Sequence, residues 1–174
     1  MAMDFNELLA KQEEMNKNKI ESRSEAAREI TKVLTFNIGD QIYGIEIPNL
    51  IEIIGIPHIT KVPGVPSYIK GIINVRSKVV PVVNIRSRFG KEEIPYNERS
   101  CTIILSDDEG TQVGIIVDEV RDVLSVYEKY IAQSPNHIGV NNNKFIKYLL
   151  EMSDGIKLVL DVDKLIYENE AHAE

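Results

Sequence analysis

"GIINVRSKVVPVVNIRSRFG", residues 71–90, is two apolar runs that meet at a turn carrying Arg76, Ser77 and Lys78. The spacing predicts a hairpin, with GIINV as one strand and KVVPVVN as the other. Pro81 removes one ladder donor, so the second strand should lie at an edge or carry a bulge there. NIRSRFG then reads as one or two turns of helix closed by Gly90. An arginine at the tip of an apolar hairpin cannot serve the core. It is either ordinary turn solvation or a group presented to a partner, since arginine is enriched among interface anchors.

Outward from this hairpin the chain is a succession of short strands. In VLTFNIGDQIYGIEI, residues 33–47, Leu34, Phe36 and Ile38 alternate onto one face, Gly39-Asp40 makes a turn, and Tyr43, Ile45 and Ile47 line the return strand. Pro48 opens a helical turn and IEIIGI is a strand. HITKVPGVPSYIKG is a long connection ending in a short amphipathic stretch through Tyr68 and Ile69. KEEIPYNERS, 91–100, reads as a linker. CTIIL and TQVGIIV are strands joined by the turn SDDEG, and DEVRDVLSV follows. AQSPNHIGVNNNK is a second long polar loop. FIKYLLEM places Ile146, Tyr148, Leu150 and Met152 on one face, Asp154-Gly155 is the expected hairpin turn, IKLVL pairs back, and DVDKLIYEN ends as a helix. Residues 1–30 lack Gly and Pro, are rich in charge and have sparse apolar positions, so they read as a mobile or partly helical arm.

The two halves repeat. GIEIPNLIEII (44–54) lies over GIIVDEVRDVL (114–124), matching Gly44 with Gly114 and Ile53 with Val123. VVPVVNIRSRF (79–89) lies over IKLVLDVDKLI (156–166). There Asn84 meets Asp161, each able to cap the short helix that follows. No helix is long enough for a parallel crossover. The expectation is therefore all-β: two tandem SH3-like five-stranded antiparallel barrels side by side, with short helices and the N-terminal arm. The expected division is 1–30 arm, 31–98 first barrel, 99–168 second barrel and 169–174 tail.

Composition excludes several functions. Hydrophobic residues make up 43% and charged residues 27% of the 174, enough for a core without disulfides. The net charge of −7 argues against nucleic acid, which calls for a basic face. Cys101 is the single cysteine, so no internal disulfide forms and a reducing, intracellular setting is expected. No signal segment opens the sequence and no apolar run is long enough to span a bilayer, so no direct membrane insertion is expected and the chain reads as cytoplasmic. The histidines, His58, His137 and His172, are not spaced as metal ligands. Cys101 sits within an apolar strand, and no nucleophile elbow, P-loop or dinucleotide fingerprint is present. Neither catalysis nor a cofactor or metal is expected. What remains is surface: strand edges and a groove between two barrels, both of which are protein-binding features.

The motifs now carry a resemblance. The hairpin resembles the signature of the CheW family of bacterial chemotaxis coupling proteins: G-hydrophobic-x-N-L-R-G, then hydrophobic-P-hydrophobic-hydrophobic-D-L-R and a closing F-G. FNIGDQIYGIEI, GIIVDEVRDVLSV and LVLDVDKLI extend the resemblance over about residues 33–168. It implies a double SH3-like barrel without catalysis. The implied adaptor binds the regulatory domain of the histidine kinase CheA and the cytoplasmic tips of methyl-accepting chemoreceptors, and so sits at membrane-associated arrays through its partners. A CheW-like scaffold of another kinase-linked pathway, in surface motility or development, is the alternative. By motif, Arg76 is the coupling arginine, Leu50 and Glu52 fall in a segment implicated in receptor and kinase contact, and Gly71 opens the hairpin motif. Val65, Ile69 and Val75, apolar and near the motif, are assigned to the groove wall. Two departures stand out. Ser77 replaces the family's usual glycine, which costs strain if the position needs a positive φ, and Asn84 replaces aspartate, keeping the cap but losing the charge.

Overall fold

The computed structural model describes residues 5–26, 28–132 and 143–167. The polar loop expected around His137 and the tail with His172 lie outside them. The expected arm is largely a helix, α1 (Phe5–Ala26), whose side chains from Asn6 to Asn16 are exposed. The first strand starts inside the expected arm, as Glu29 already pairs with Tyr127.

Eleven strands follow among the described residues, and the all-β expectation holds. They are β1 (Glu29–Ile38), β2 (Gln41–Glu46), β3 (Leu50–Ile54), β4 (Ile69–Val75), β5 (Lys78–Asn84), β6 (Cys101–Ser106), β7 (Gln112–Val117), β8 (Glu119–Tyr127), β9 (Ile131–Ala132), β10 (Ile146–Met152) and β11 (Gly155–Leu160). Short helices α2 (Ile85–Arg88) and α3 (Val162–Tyr167) follow β5 and β11. Asn84 caps α2 by accepting from the backbone N–H groups of Arg86 and Ser87. Asp161 accepts from Lys164 N–H in the same way at α3.

The strands form two sheets, ordered β8-β1-β2-β11-β10-β9 and β3-β6-β7-β5-β4. Superposing the repeat makes the orders identical, β8 onto β3, β1 onto β6, β2 onto β7, β11 onto β5 and β10 onto β4. The correspondence reaches single pairs. Gly44 lies opposite Val159 in one parallel pair of strands, and Gly114 lies opposite Val82 in the other. Both glycines lie close to their neighbours: a Cβ on Gly114 would sit 3.2 Å from the Thr102 methyl. Asn84 N–H donates to Tyr68 C=O, and Asp161 N–H donates to Phe145 C=O.

The halves therefore exchange hairpins. β1–β2 joins the strands of the second half, and β6–β7 joins those of the first. The five-stranded sheet is the continuous piece 50–117, and the six-stranded sheet takes strands from both sides of it. The boundary expected between residues 98 and 99 thus separates neither sheet from the other. Antiparallel pairing dominates, but β2–β11 and β5–β7 are parallel, against the all-antiparallel expectation. Each joins a strand of one half to a strand of the other, with no hairpin turn between them.

The main core lies between the sheets. It joins Phe36, Ile38 and Tyr43 of one sheet to Ile103, Leu105 and Ile115 of the other. A stack of rings crosses it, from Tyr43 to Phe89 (5.3 Å between centroids) to Phe145 (5.5 Å). Each sheet also wraps a smaller cluster of its own: Ile73, Val80, Val82, Ile104 and Ile116 in one, Val33, Val126, Leu150 and Val159 in the other. Ile54 of β3 and Val75 of β4 share the first of these, though their strands are opposite edges of the five-stranded sheet. The sheet is curled until its edges approach.

Pro81 is accommodated otherwise than expected, since β5 lies between β7 and β4 and carries no bulge at the proline. Ile72 turns both its backbone groups onto Thr60, so the Ile72–Pro81 pair exchanges no hydrogen bonds and the proline nitrogen faces the other way. There the pairing with β7 reaches only Val82. Two further readings change. A bulge between Ile146 and Tyr148 moves Ile146 to the face of Leu149, in the main core, while Tyr148, Leu150 and Met152 keep the other face. The last hairpin turns at Ser153-Asp154, with Gly155 opening the return strand opposite Met152.

Candidate functional site

The β4–β5 hairpin turns on two residues, Arg76 and Ser77, with Val75 opposite Lys78. Both have positive φ, +49° and +68°. A two-residue turn of this kind matches the twist of the strands and favours Asn-Gly or Gly. Serine therefore stands in a left-handed conformation where the family pattern has glycine, and it bears the strain.

The Arg76 side chain is 79% exposed, and its Nη2 lies 3.6 Å from Oε2 of the half-buried Glu52. Glu52 is on β3, at the far edge of the same sheet. Curling of the sheet brings the two motif residues together. Val75 and Ile54 pack in the small cluster beneath them. The bulge between Leu50 and Glu52 gives β3 two apolar faces. Leu50 packs on the main core, whereas Ile51 and Ile53 are exposed. Those two isoleucines were not singled out in the sequence, although the run LIEII, apolar at both parities, signals a strand with both faces destined for cover.

The remaining assigned residues separate. Gly71 is structural. Its φ is +148°, and a Cβ there would lie 2.1 Å from the Thr60 carbonyl oxygen, which bonds Ile72 N–H. Only glycine lets that connection pass. Ile69 is half-buried on the main core and lines a groove of about 610 Å³ with Val79, Val83, Val113, Leu165 and Tyr167. Val75 lines neither this groove nor a second of about 540 Å³ beside Pro57, His58, Asn74 and Val79. Val65 is exposed on the connection before β4 and lines neither. Val79, 68% exposed, is the ridge between the grooves. Its exposure is not readable from the residues, because alternation alone does not say which face of a hairpin lacks cover.

Behind the hairpin a charged latch fixes the frame. Arg86 of α2 donates to Asp118 through Nε (3.0 Å) and Nη2 (2.5 Å), and Gly39 N–H donates to the same carboxylate (2.7 Å). Burial works to raise the Asp118 carboxyl. The hydrogen bonds from Arg86 and Gly39, with the Arg86 charge, outweigh it and hold the group below the usual carboxylate range. The buried Arg88 guanidinium lies between the rings of Tyr68 (4.1 Å) and Phe145 (4.6 Å), one from each half. No cluster of three His, Cys, Asp or Glu is placed to hold a metal ion among the described residues, and no helix there is long and apolar enough to cross a membrane.

Residues 32–170 match the model of the CheW-like domain. The chain belongs to the CheW family. It is 31% identical over 137 residues to the chemotaxis protein CheW of Klebsiella aerogenes, covering 79% of this chain and 82% of that protein. The corresponding protein of Thermotoga maritima is 30% identical over 138 residues, with 79% and 88% covered. Among solved structures, the scaffolding protein TtCheW from Thermoanaerobacter tengcongensis superposes with a TM-score of 0.73 at 29% identity, covering 80% of this chain and 94% of that one. The match to the CheW-like domain begins at Lys32 and so leaves α1 outside it.

Proposed function

We infer that this CheW-family chain is a non-catalytic chemotaxis adaptor. In this reading it couples the cytoplasmic tips of methyl-accepting chemoreceptors to the regulatory domain of CheA, in the cytoplasm at receptor arrays. One observation carries the reading to the residues: Arg76, exposed at the hairpin tip, is steered by Glu52 of β3, whose neighbours Ile51 and Ile53 are exposed apolar residues on the opposite face of that strand. A guanidinium held in place by one carboxylate keeps donors for a second acceptor, and less side-chain freedom is lost on binding. Arg76, Glu52 and Leu50 are the coupling residues in this reading. Val75 supports the hairpin from beneath, Ile69 and Val65 contribute apolar surface beside it, and Gly71 acts indirectly by setting the course of β4.

The test is co-sedimentation of the purified chain with receptor-tip fragments and the kinase regulatory domain. The adaptor should pellet with both together, and Arg76→Ala should weaken ternary assembly by about tenfold without moving the urea midpoint. Binding to neither partner would overturn the coupling role while leaving the family assignment standing.

A further inference from the structure

The sequence from Ile53 to Lys91 contains no Asp or Glu and seven Lys or Arg, in a chain of net charge −7. Part of that charge is spent internally. Lys70 is held by Glu93, Arg86 by Asp118 and Arg76 by Glu52. Lys61 and Lys78 are exposed, and among the described residues no ion pair reaches either. The β4–β5 hairpin is thus a basic island on an acidic protein.

The same hairpin has an open strand edge. Ile72 exchanges both backbone hydrogen bonds with Thr60, 2.9 Å each, on the side of β4 away from β5. Asn74 is two residues further along a regular stretch of ladder, so its N–H and C=O point the same way. The ladder on that side stops at the Thr60 bridge, and no hydrogen bond among the described residues takes up the Asn74 groups. Instead the chain at Pro57 and His58 stands off, leaving the groove of about 540 Å³ walled by Ile72, Asn74 and Val79. In the other half the equivalent edge is closed further. Ala132, the counterpart of Thr60, lies opposite Leu149, and β9 continues with Ile131 opposite Leu150.

We propose that the open edge of β4 at Asn74 takes an extended acidic segment of a partner protein as an added strand. The backbone at Asn74 supplies the ladder bonds, and the groove beside Val79 takes alternate side chains of the incoming strand. Lys78 at one end and Lys61 at the other receive its carboxylates. The proposal stands on this backbone edge and the lysines beside it, and does not depend on the receptor and kinase assignment.

The probe is a fluorescein-labelled ten-residue peptide of alternating Val and Glu, with the full chain labelled with ¹⁵N. Three controls accompany it: the Val-Lys peptide, a Val-Glu peptide N-methylated along one edge, and a ten-nucleotide oligothymidylate. The expected result is binding by the Val-Glu peptide alone, with protection of the Asn74 amide from exchange and weakening as salt rises. Lys78→Glu, an exposed site, should weaken binding by about fivefold or more. Asn74→Pro should weaken it by about tenfold at an unchanged urea midpoint, since an outward-facing edge position tolerates proline. No binding up to about 1 mM, equal binding of the N-methylated or Val-Lys peptide, tighter binding of the oligonucleotide, or protection confined to another strand would each overturn the proposal.

Discussion

Arg76 and Glu52 belong to opposite edges of one five-stranded sheet, yet their charged groups lie 3.6 Å apart. The contact exists because the sheet curls over Ile54, Val75 and their neighbours, and it steers a side chain that the turn pushes into solvent. Being exposed, the pair adds little to folding, about 0.5 kcal/mol or less. Arg76→Ala should therefore leave the urea midpoint within error while ternary co-sedimentation falls. The charge-swapped double variant Arg76→Glu with Glu52→Arg should restore the pair but not the assembly. Recovery of assembly in the swap would mean that the pair acts only on hairpin shape.

Ser77 carries a left-handed backbone at a cost of about 1–2 kcal/mol, part of which glycine would repay in its own entropy. Ser77→Gly should raise stability by about 0.5 kcal/mol, and Ser77→Val should lower it, as β-branching fits that conformation worst. Equilibrium urea unfolding of the three proteins gives the order directly.

Three glycines make a graded series. At Gly71 a Cβ would meet the Thr60 carbonyl at 2.1 Å in a positive-φ conformation, so Gly71→Ala should cost about 3 kcal/mol or more and loosen the Thr60–Ile72 bridge. Gly110 has φ +88° but open space, so Gly110→Ala should cost about 1–2 kcal/mol. Gly55 has neither constraint, and Gly55→Ala should be neutral or slightly stabilising. Thermal melts that failed to rank the three in this order would count against the close passage at Gly71.

Asp118 makes stability depend on acid. Its folded pKa lies below the ordinary value, near 4, so its contribution is complete above that value and is lost as pH falls through the lower, folded one. Asp118→Asn should destabilise at pH 7 by about 1–3 kcal/mol and flatten the stability profile below about pH 4. Urea titrations of both proteins between pH 3 and 7 measure the difference.

Much of this was legible in the residues. Hairpin positions, the Asn84 and Asp161 caps and the repeat follow from local rules of alternation, turn chemistry and capping, and the structure keeps nearly all of them. The hairpin exchange was not legible. Period two says which face of a strand is apolar, and β1–β2 buries the same face whichever half it joins. Bulges escape for a related reason, since one inserted residue changes the face of Ile146 without changing composition. Among the candidate site residues, Arg76, Glu52 and Leu50 are assigned by motif, but the meeting of Arg76 with Glu52 depends on sheet curvature. Gly71 stands out by motif for a reason that is conformational, and Ile51, Ile53 and Val79 escaped because exposure depends on what the rest of the fold leaves uncovered.

The hairpin exchange also sets an order in time. A ribosome delivers every strand of the five-stranded sheet in one uninterrupted piece, complete once Val117 has emerged. The hairpin β1–β2 is made earlier, but its neighbours β8 and β11 come only after that piece. At about 5–20 residues per second, the first pair of strands to be synthesised waits seconds for the strands that flank it. The first hairpin to be synthesised is thus among the last to gain its neighbours, because the strands that flank it on both sides belong to the second half.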